Sequence, residues 1–100
     1  MAPADDLCAE GYADLVTALR ARRMALGLSQ AEIDYRAAWA EGLCGKLECN
    51  HRAPNYRRAG DVTLRRWLRV LGLRIRLEVV AAVEPMTPAA RHQATNKKAA

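Results

Sequence analysis

The chain has 100 residues, a length that suits one small domain and is too short for two. Hydrophobic residues make up 51% of it, which is enough to form a core. No stretch approaches the ~20 consecutive apolar residues that cross a bilayer, so the composition excludes a transmembrane protein. The N-terminal residues 1–14 carry acids and no base, the reverse of a secretory signal, and we therefore expect a cytoplasmic protein.

Charge is distributed unevenly along the sequence. Residues 1–19 hold four acids and no base, residues 20–76 hold thirteen bases and five acids, and residues 77–100 hold three bases and two acids. Twelve of the thirteen central bases are Arg, the side chain best suited to bidentate contact with phosphate. This basic centre favours a polyanionic partner such as nucleic acid, and an Arg-rich solvated surface is the alternative.

The residues needed for metal binding or catalysis are sparse. Cys44, Cys49 and His51 lie close in sequence, but no Cys-x-x-Cys pair or second His cluster completes a four-ligand zinc set. We therefore predict no metal and no cofactor, and interpret the two cysteines as ordinary helical residues. Without a Ser/His/Asp set, a Gly-rich phosphate loop or paired acids, we also predict that the chain is not an enzyme.

The first two predicted helices are separated by a clear stop and start signal. Apolar residues at helical spacing predict a helix from Tyr12 to Leu26, and Gly27 follows as a C-terminal cap. Ser29 and Glu32 stand three apart, which is the spacing of a capping box, and they predict the start of a second helix that ends near Ala38 or Trp39.

The third and fourth predicted helices flank a loop. We predict a short helix over residues 40–49, with Asn50 as a left-handed cap, and then a loop over residues 50–60. Asp61 is predicted to N-cap the fourth helix, which Gly72 ends. Its apolar stripe has the spacing i, i+3, i+4 and i+7 and comprises Leu64, Trp67, Leu68 and Leu71.

After Gly72 the hydrophobic period changes from helical to alternating. The alternation predicts one β-strand, whose apolar face comprises Leu73, Ile75, Leu77 and Val79. No second strand-like segment exists to satisfy its backbone groups, so we predict that it pairs with the same strand of another copy in a homodimer. The expected fold is therefore mainly α, a small bundle of four to five helices with one C-terminal strand paired across a dimer.

These patterns divide the chain into four parts. We expect an acidic N-terminal leader over residues 1–11 and a helix-turn-helix domain over residues 12–72. A dimerisation strand follows over residues 73–83, and an Ala/Lys-rich tail over residues 84–100 is expected to be disordered.

The two short helices after Gly27 carry a recognisable pattern. The run Leu28–Ile33, with Ala37 later and Lys46–Glu48 closing the third helix, resembles the XRE-type (Cro/phage-repressor-like) helix-turn-helix family. The pattern runs without a gap from Leu28 to Glu48 and continues through Leu71-Gly72-Leu73, so that the resemblance covers about residues 13–73.

The resemblance assigns roles to individual residues. It implies an ion pair between Arg23 and Glu48 that ties the first helix to the third, and a phosphate clamp at Gln30. It places the base-contacting positions at Glu41, Gly42, Leu43 and Lys46, where the two glycines Gly42 and Gly45 depart from the usual pattern because they offer no side chain. Trp39 is interpreted, with Trp67, as a core residue and not as a base-stacking one.

The loop after the third helix is longer than is usual in this family and carries three arginines. Arg52, Arg57 and Arg58 lie where the family faces the DNA backbone, so we expect them to contact phosphate or the minor groove. A solvated surface loop is the alternative.

The family resemblance implies a sequence-specific DNA-binding transcriptional regulator, a dimeric repressor acting on a two-fold-related operator in double-stranded DNA. The alternative is an antitoxin-like or anti-activator protein whose main partner is another protein. In that case the acidic leader or the tail after Pro85 would carry the partner.

Overall fold

The computed structural model describes residues 7–85, and within them the chain is mainly helical, with four helices and no assigned strand. The helices are α1 (Tyr12–Ala25), α2 (Gln30–Ala37), α3 (Leu43–Glu48) and α4 (Asp61–Val70). Residues 7–11 of the predicted leader have no regular secondary structure and Leu7 is exposed. The rest of the leader (1–6) and most of the predicted tail (86–100) lie outside the described residues.

The connection from α1 to α2 has the predicted caps. Gly27 adopts a left-handed conformation with φ +70°, and the amide of Leu28 donates to the carbonyl of Arg23, so the chain turns at once out of α1. The Ser29 hydroxyl accepts from the amide of Glu32 at 3.0 Å, and the Glu32 carboxylate accepts from the amide of Ser29 at 3.2 Å. The capping box is therefore confirmed.

Helix α3 is shorter than predicted. It begins at Leu43 and not at Ala40, because Gly42 (φ 91°) takes a left-handed conformation that no α-helix can contain; Ala38 (φ 56°) takes the same conformation where it ends α2. Gly42 therefore belongs to the turn and does not weaken the helix interior. The prediction of a left-handed cap at Asn50 is wrong: the Asn50 side chain instead accepts from the amide of Arg52 at 2.8 Å, in a local turn.

Asp34 joins α2 to the start of α3, and the sequence analysis did not identify it. Its side chain is buried, with 6% of the residue exposed, and its two carboxylate oxygens accept from the amides of Gly42 (2.9 Å) and Cys44 (2.8 Å). A carboxylate from the preceding helix thus satisfies amides that the first turn of α3 leaves without a helical partner.

Helix α4 begins with a different cap from the predicted one. Gly60 is the N-cap, and Asp61 is the first helical residue, whose carboxylate lies 3.5 Å from the guanidinium of Arg65. At the other end Gly72 takes φ +70°, and the Arg22 guanidinium donates to the carbonyl of Leu71 at 3.1 Å. An arginine of α1 therefore satisfies a carbonyl group at the C-terminus of α4.

The core lies where α2 packs between α3 and α4 while α1 covers α3. Trp67 is fully buried at its centre, and half-buried Trp39 packs edge-to-face against it, with ring centroids 6.2 Å apart. The interpretation of both tryptophans as packing residues agrees with this contact. The other large side chains that are fully buried are Leu19, Ile33, Cys44, Leu47 and Leu71.

The segment that was predicted as a strand, residues 73–83, is irregular in the single chain, and its strand character stays a prediction. Leu73 is half-buried against the core, whereas Ile75 is 55%, Leu77 95% and Val79 90% exposed. A strand is defined by hydrogen bonds to a neighbour, and no neighbouring strand is present among residues 7–85.

We predict that Asp34→Ala lowers the free energy of unfolding by about 1–3 kcal/mol, because it leaves the buried amide of Cys44 and the part-buried amide of Gly42 without an acceptor. Urea unfolding followed by circular dichroism measures the effect. Asp61→Ala, which removes an exposed carboxylate, is the matched control and should change the value by less than about 0.5 kcal/mol. Equal effects of the two variants would contradict the assigned role of Asp34.

Candidate nucleic-acid interface

The second and third helices are short, packed against each other and joined by a turn. Helix α2 packs against α3, and residues 38–42 form the turn between them. The amide of Trp39 donates to the backbone carbonyl of Asp34 at 2.9 Å. The side chain of Asp34 accepts from the amide of Cys44 at the start of α3. The angle between the two helices is thus held by both backbone and side-chain hydrogen bonds of Asp34.

Arg23 and Glu48 form a bidentate ion pair between α1 and the end of α3. The Arg23 Nε and one terminal nitrogen donate to the two Glu48 oxygens at 2.8 and 2.9 Å, and the remaining terminal nitrogen donates to the Leu28 carbonyl at 2.8 Å. The side chain of Glu48 is 1% exposed and that of Arg23 is 11% exposed. A buried carboxylate is thus satisfied by the planar fork of a guanidinium.

Two further side chains donate to Glu48. The Gln30 amide donates at 3.1 Å from the first turn of α2, and the Cys44 thiol donates at 3.2 Å from one turn earlier in α3. The guanidinium of Arg20, which is 59% exposed, lies farther away at 3.9 Å. One carboxylate therefore connects α1, α2 and α3.

Burial and the hydrogen bonds around Glu48 shift its own pKa and the pKa values of two neighbours, Arg23 and Cys44. Burial alone would raise the pKa of Glu48, but hydrogen bonds from Arg23, Gln30 and Cys44 outweigh it and hold that pKa below 4.5. The hydrogen bond to Glu48 raises the pKa of Arg23. Burial, together with the nearby Glu48 carboxylate, raises the pKa of the Cys44 thiol, so Cys44 is a protonated core residue and a poor nucleophile.

Gln30, the predicted phosphate clamp, is the first residue of α2, and its side chain extends to α3. Its amide nitrogen is committed to Glu48, and a Cβ placed at Gly45 would lie 3.2 Å from its amide oxygen. The absence of a side chain at Gly45 therefore leaves room for Gln30 to cross the outer face of α3. The residue as a whole stays exposed at the helix N-terminus.

The predicted base-contacting residues are only partly available. Glu41 and Gly42 are exposed in the turn before α3, and Lys46 is exposed on the helix. Leu43 is half-buried and packs against the core, so little of its side chain faces outward. Lys46 is the only residue of α3 with an exposed polar side chain, because Glu48 is enclosed by its ion pair.

The loop over residues 50–60 is attached to α3 and to α1 through its second half. The Arg57 amide donates to the Lys46 carbonyl at 3.1 Å, which holds the loop beside the last turn of α3. The Ala59 amide donates to the Tyr12 hydroxyl at 2.8 Å, and the Arg58 guanidinium stacks on the Tyr12 ring at 3.9 Å from its centroid.

These attachments place the three predicted loop arginines differently. The side chains of Arg52 and Arg57 are exposed beside α3, whereas the guanidinium of Arg58 is engaged by Tyr12. The sequence predicts Tyr12 only as the first residue of the first helix, and no sequence pattern indicates that its hydroxyl holds the loop.

A shallow groove of about 340 Å³ separates α3 from the loop. Four residues of the turn and α3 form one wall and three loop residues form the other; they are Gly42, Gly45, Lys46 and Cys49, and Ala53, Pro54 and Asn55. Small side chains on both walls leave the groove open, and Lys46 is the charged residue of the lining.

Among residues 7–85, no group of three or more His, Cys, Asp and Glu side chains is placed to hold a metal ion, and the three cysteines are free. Within the same range no helix has both the length and the apolar character needed to cross a membrane. Comparisons of the chain with protein-family models, with curated protein sequences and with solved structures found no significant match.

We expect Arg23→Ala to lower the free energy of unfolding by about 3–5 kcal/mol, because the buried Glu48 carboxylate loses its main counter-charge. Chemical denaturation checks this value. Arg20→Ala is the matched control, since its exposed guanidinium lies beyond hydrogen-bond distance and should contribute at most about 1 kcal/mol. If Arg20→Ala cost as much as Arg23→Ala, Arg23 would not be the partner that Glu48 requires.

The lowered pKa of Glu48 predicts a pH dependence of stability. A carboxylate whose pKa is lower in the folded state stabilises the fold fully above its unfolded value of 4.5, and this contribution is lost as the pH falls through the folded value. The stability difference between wild type and Glu48→Gln should therefore be large near pH 7 and shrink below about pH 4.5. Urea titrations of both proteins across this range measure it, and a difference independent of pH would contradict the prediction.

Proposed function

We propose that the protein is a sequence-specific DNA-binding transcriptional regulator that acts as a dimeric repressor on a two-fold-related operator. The observation that carries the proposal is the packed pair of short helices α2 and α3, held to α1 by the bidentate Arg23–Glu48 pair. This pair was expected from the resemblance to XRE-type repressors alone, and its presence at the implied positions supports the same architecture here.

The exposed charges beside α3 support a DNA partner. Lys46 lies on the outer face of α3, and Arg52 and Arg57 follow on the loop that is hydrogen-bonded to the Lys46 carbonyl. Basic side chains on a helix and on the adjacent loop suit simultaneous contact with a groove and with the flanking phosphates. In this proposal Lys46 contacts base edges, and the two arginines contact phosphate or the minor groove.

The remaining proposed contacts are weaker. Gln30 and the N-terminus of α2 would meet a phosphate, while Glu41, Gly42 and Leu43 would approach base edges through short or apolar groups. Because only Lys46 offers a polar side chain on α3, phosphate contacts would supply most of the affinity. The proposed regulator therefore binds DNA with a steep dependence on salt.

The proposed dimer is formed by the segment 73–83, through Leu73, Ile75, Leu77 and Val79. Its support is the exposure of three of these apolar side chains, which ranges from 55% at Ile75 to 95% at Leu77. Contiguous exposed apolar side chains in a small domain favour burial against a partner. A dimer would present two helix-turn-helix units to half-sites that are about one helical turn, ~34 Å, apart.

We predict that the protein retains a subset of labelled genomic fragments in an electrophoretic shift assay at low salt. Binding should weaken steeply as salt increases, with a log–log slope of about −0.9 for each phosphate contact. Retention of no fragment, or binding that is indifferent to salt, would contradict the proposed function.

Substitutions separate the proposed contacts. Lys46→Ala should relax the preference among fragments, whereas Arg57→Ala should weaken binding to all fragments alike and reduce the salt slope by about 1. The matched control is Arg65→Ala, which removes an arginine from the exposed face of α4, outside the proposed interface. It should leave both the preference and the salt slope close to those of wild type.

A further inference from the structure

The exposed C-terminal segment has two clear limits. Gly72 turns the chain out of α4 with φ +70°, and the chain bends again at Ala81. Between these points eight residues, 73–80, carry the alternating pattern, and Ile75, Leu77, Val79 and Val80 are 55–95% exposed. The segment is thus long enough for one strand, and no other part of residues 7–85 buries these four side chains.

The charges within this segment are also divided. Arg74 and Arg76 occupy its first half, and Glu78 occupies its second half, all on the face opposite to Leu73, Ile75 and Leu77. A strand that is basic at one end and acidic at the other is complementary to an antiparallel copy of itself. Opposite charges directly across a strand pair stabilise it, and like charges destabilise it.

We propose that two copies of the chain pair antiparallel through this segment in one register, with Leu77 opposite the partner's Leu77 on the two-fold axis. This inference rests on the dimer of the proposed function and is independent of DNA binding. In this register Arg76 lies opposite the partner's Glu78, and the symmetry repeats that ion pair. On the apolar face Ile75 lies opposite the partner's Val79.

Neighbouring registers are disfavoured by charge. A centre at Ile75 places Arg74 opposite the partner's Arg76, and a centre at Glu78 places two carboxylates opposite each other. A centre at Arg76 pairs Arg74 with the partner's Glu78, but it also places Arg76 opposite its own copy on the axis, which the proposed register avoids. A register whose two-fold axis passes between two residues would place the apolar face of one strand on the same side of the pair as the charged face of the other. A centre at Val79 would need paired residues beyond the bend at Ala81.

The same register extends an apolar surface on α4. A groove of about 450 Å³ lies between α4 and the start of the segment, with Leu64, Leu68, Leu73 and Ile75 among its lining residues. Because the partner's Val79 is opposite Ile75, it lies at the open end of this groove. The paired strands would thus cover apolar side chains of both helical domains and not only of each other.

Disulfide trapping tests the register directly. In a Cys8→Ser/Cys49→Ser background, where Cys44 is buried, Leu77→Cys should form a covalent dimer in nearly full yield on mild oxidation. Ile75→Cys or Val79→Cys alone should not, since like residues there are four positions apart along the strands, about 13 Å. An equimolar mixture of the Ile75→Cys and Val79→Cys proteins should form the crosslinked heterodimer.

Charge exchange supplies a second readout that needs no cysteine. Arg76→Glu and Glu78→Arg should each weaken dimerisation by about tenfold in sedimentation experiments, and the double variant should restore it. Both side chains are exposed in the single chain, so the fold, followed by circular dichroism, should be unchanged.

The outcomes separate the two proposals. A chain that stays monomeric at tens of micromolar overturns both the dimer and the register. A dimer in which Leu77→Cys fails to crosslink, or crosslinks no better than Ile75→Cys and Val79→Cys alone, overturns the register and leaves the dimer. Failure of the double charge exchange to restore dimerisation also overturns the register.

Discussion

The arrangement of the first three helices depends on one buried carboxylate. Glu48 accepts hydrogen bonds from Arg23 on α1, Gln30 on α2 and Cys44 on α3 itself, while 1% of its side chain is exposed. A charge so enclosed is tolerated only when its partners are all in place. The helices that carry those partners are therefore held in one mutual position, which a six-residue helix such as α3 could not keep by its own hydrogen bonds.

The arginines serve two distinct purposes that composition does not distinguish. Arg22, Arg23 and Arg66 bind protein groups: the Leu71 carbonyl at the end of α4, the Glu48 carboxylate, and the Ala37 carbonyl at the end of α2. Others stay exposed beside α3 and on α4. The basic centre of the sequence is thus partly an internal scaffold, and only the remainder is available to a polyanionic partner.

The shortness of α3 shapes the proposed interface. Helix α3 begins only at Leu43 and directs most of its side chains into the core, so that Lys46 is the one exposed polar side chain that it presents. The glycines Gly42, in the turn, and Gly45, in the helix, add no side chain to the surface. The loop beside it contributes Arg52 and Arg57, held by a backbone hydrogen bond to α3. A binding surface shared between helix and loop relies on phosphate and groove shape more than on base edges.

The sequence by itself determined the helices and their local ends. Apolar periodicity located α1, α2 and α4, and the caps at Gly27, Ser29 and Gly72 were predictable because each depends on residues within one turn of chain. The Arg23–Glu48 pair followed from a resemblance to a known pattern and not from local propensity. The shorter extent of α3 was not predictable, since a glycine such as Gly42 permits a positive φ without requiring one.

Only the tertiary structure decided the contacts between distant segments. The two amide hydrogen bonds of Asp34, the attachment of the loop to Tyr12 and the hydrogen bond of Gln30 to Glu48 join residues 8 to 47 positions apart. The sequence around a polar side chain looks the same whether that side chain faces water or accepts from a buried amide. Its role becomes visible only when packing has removed the water and left a single partner within reach.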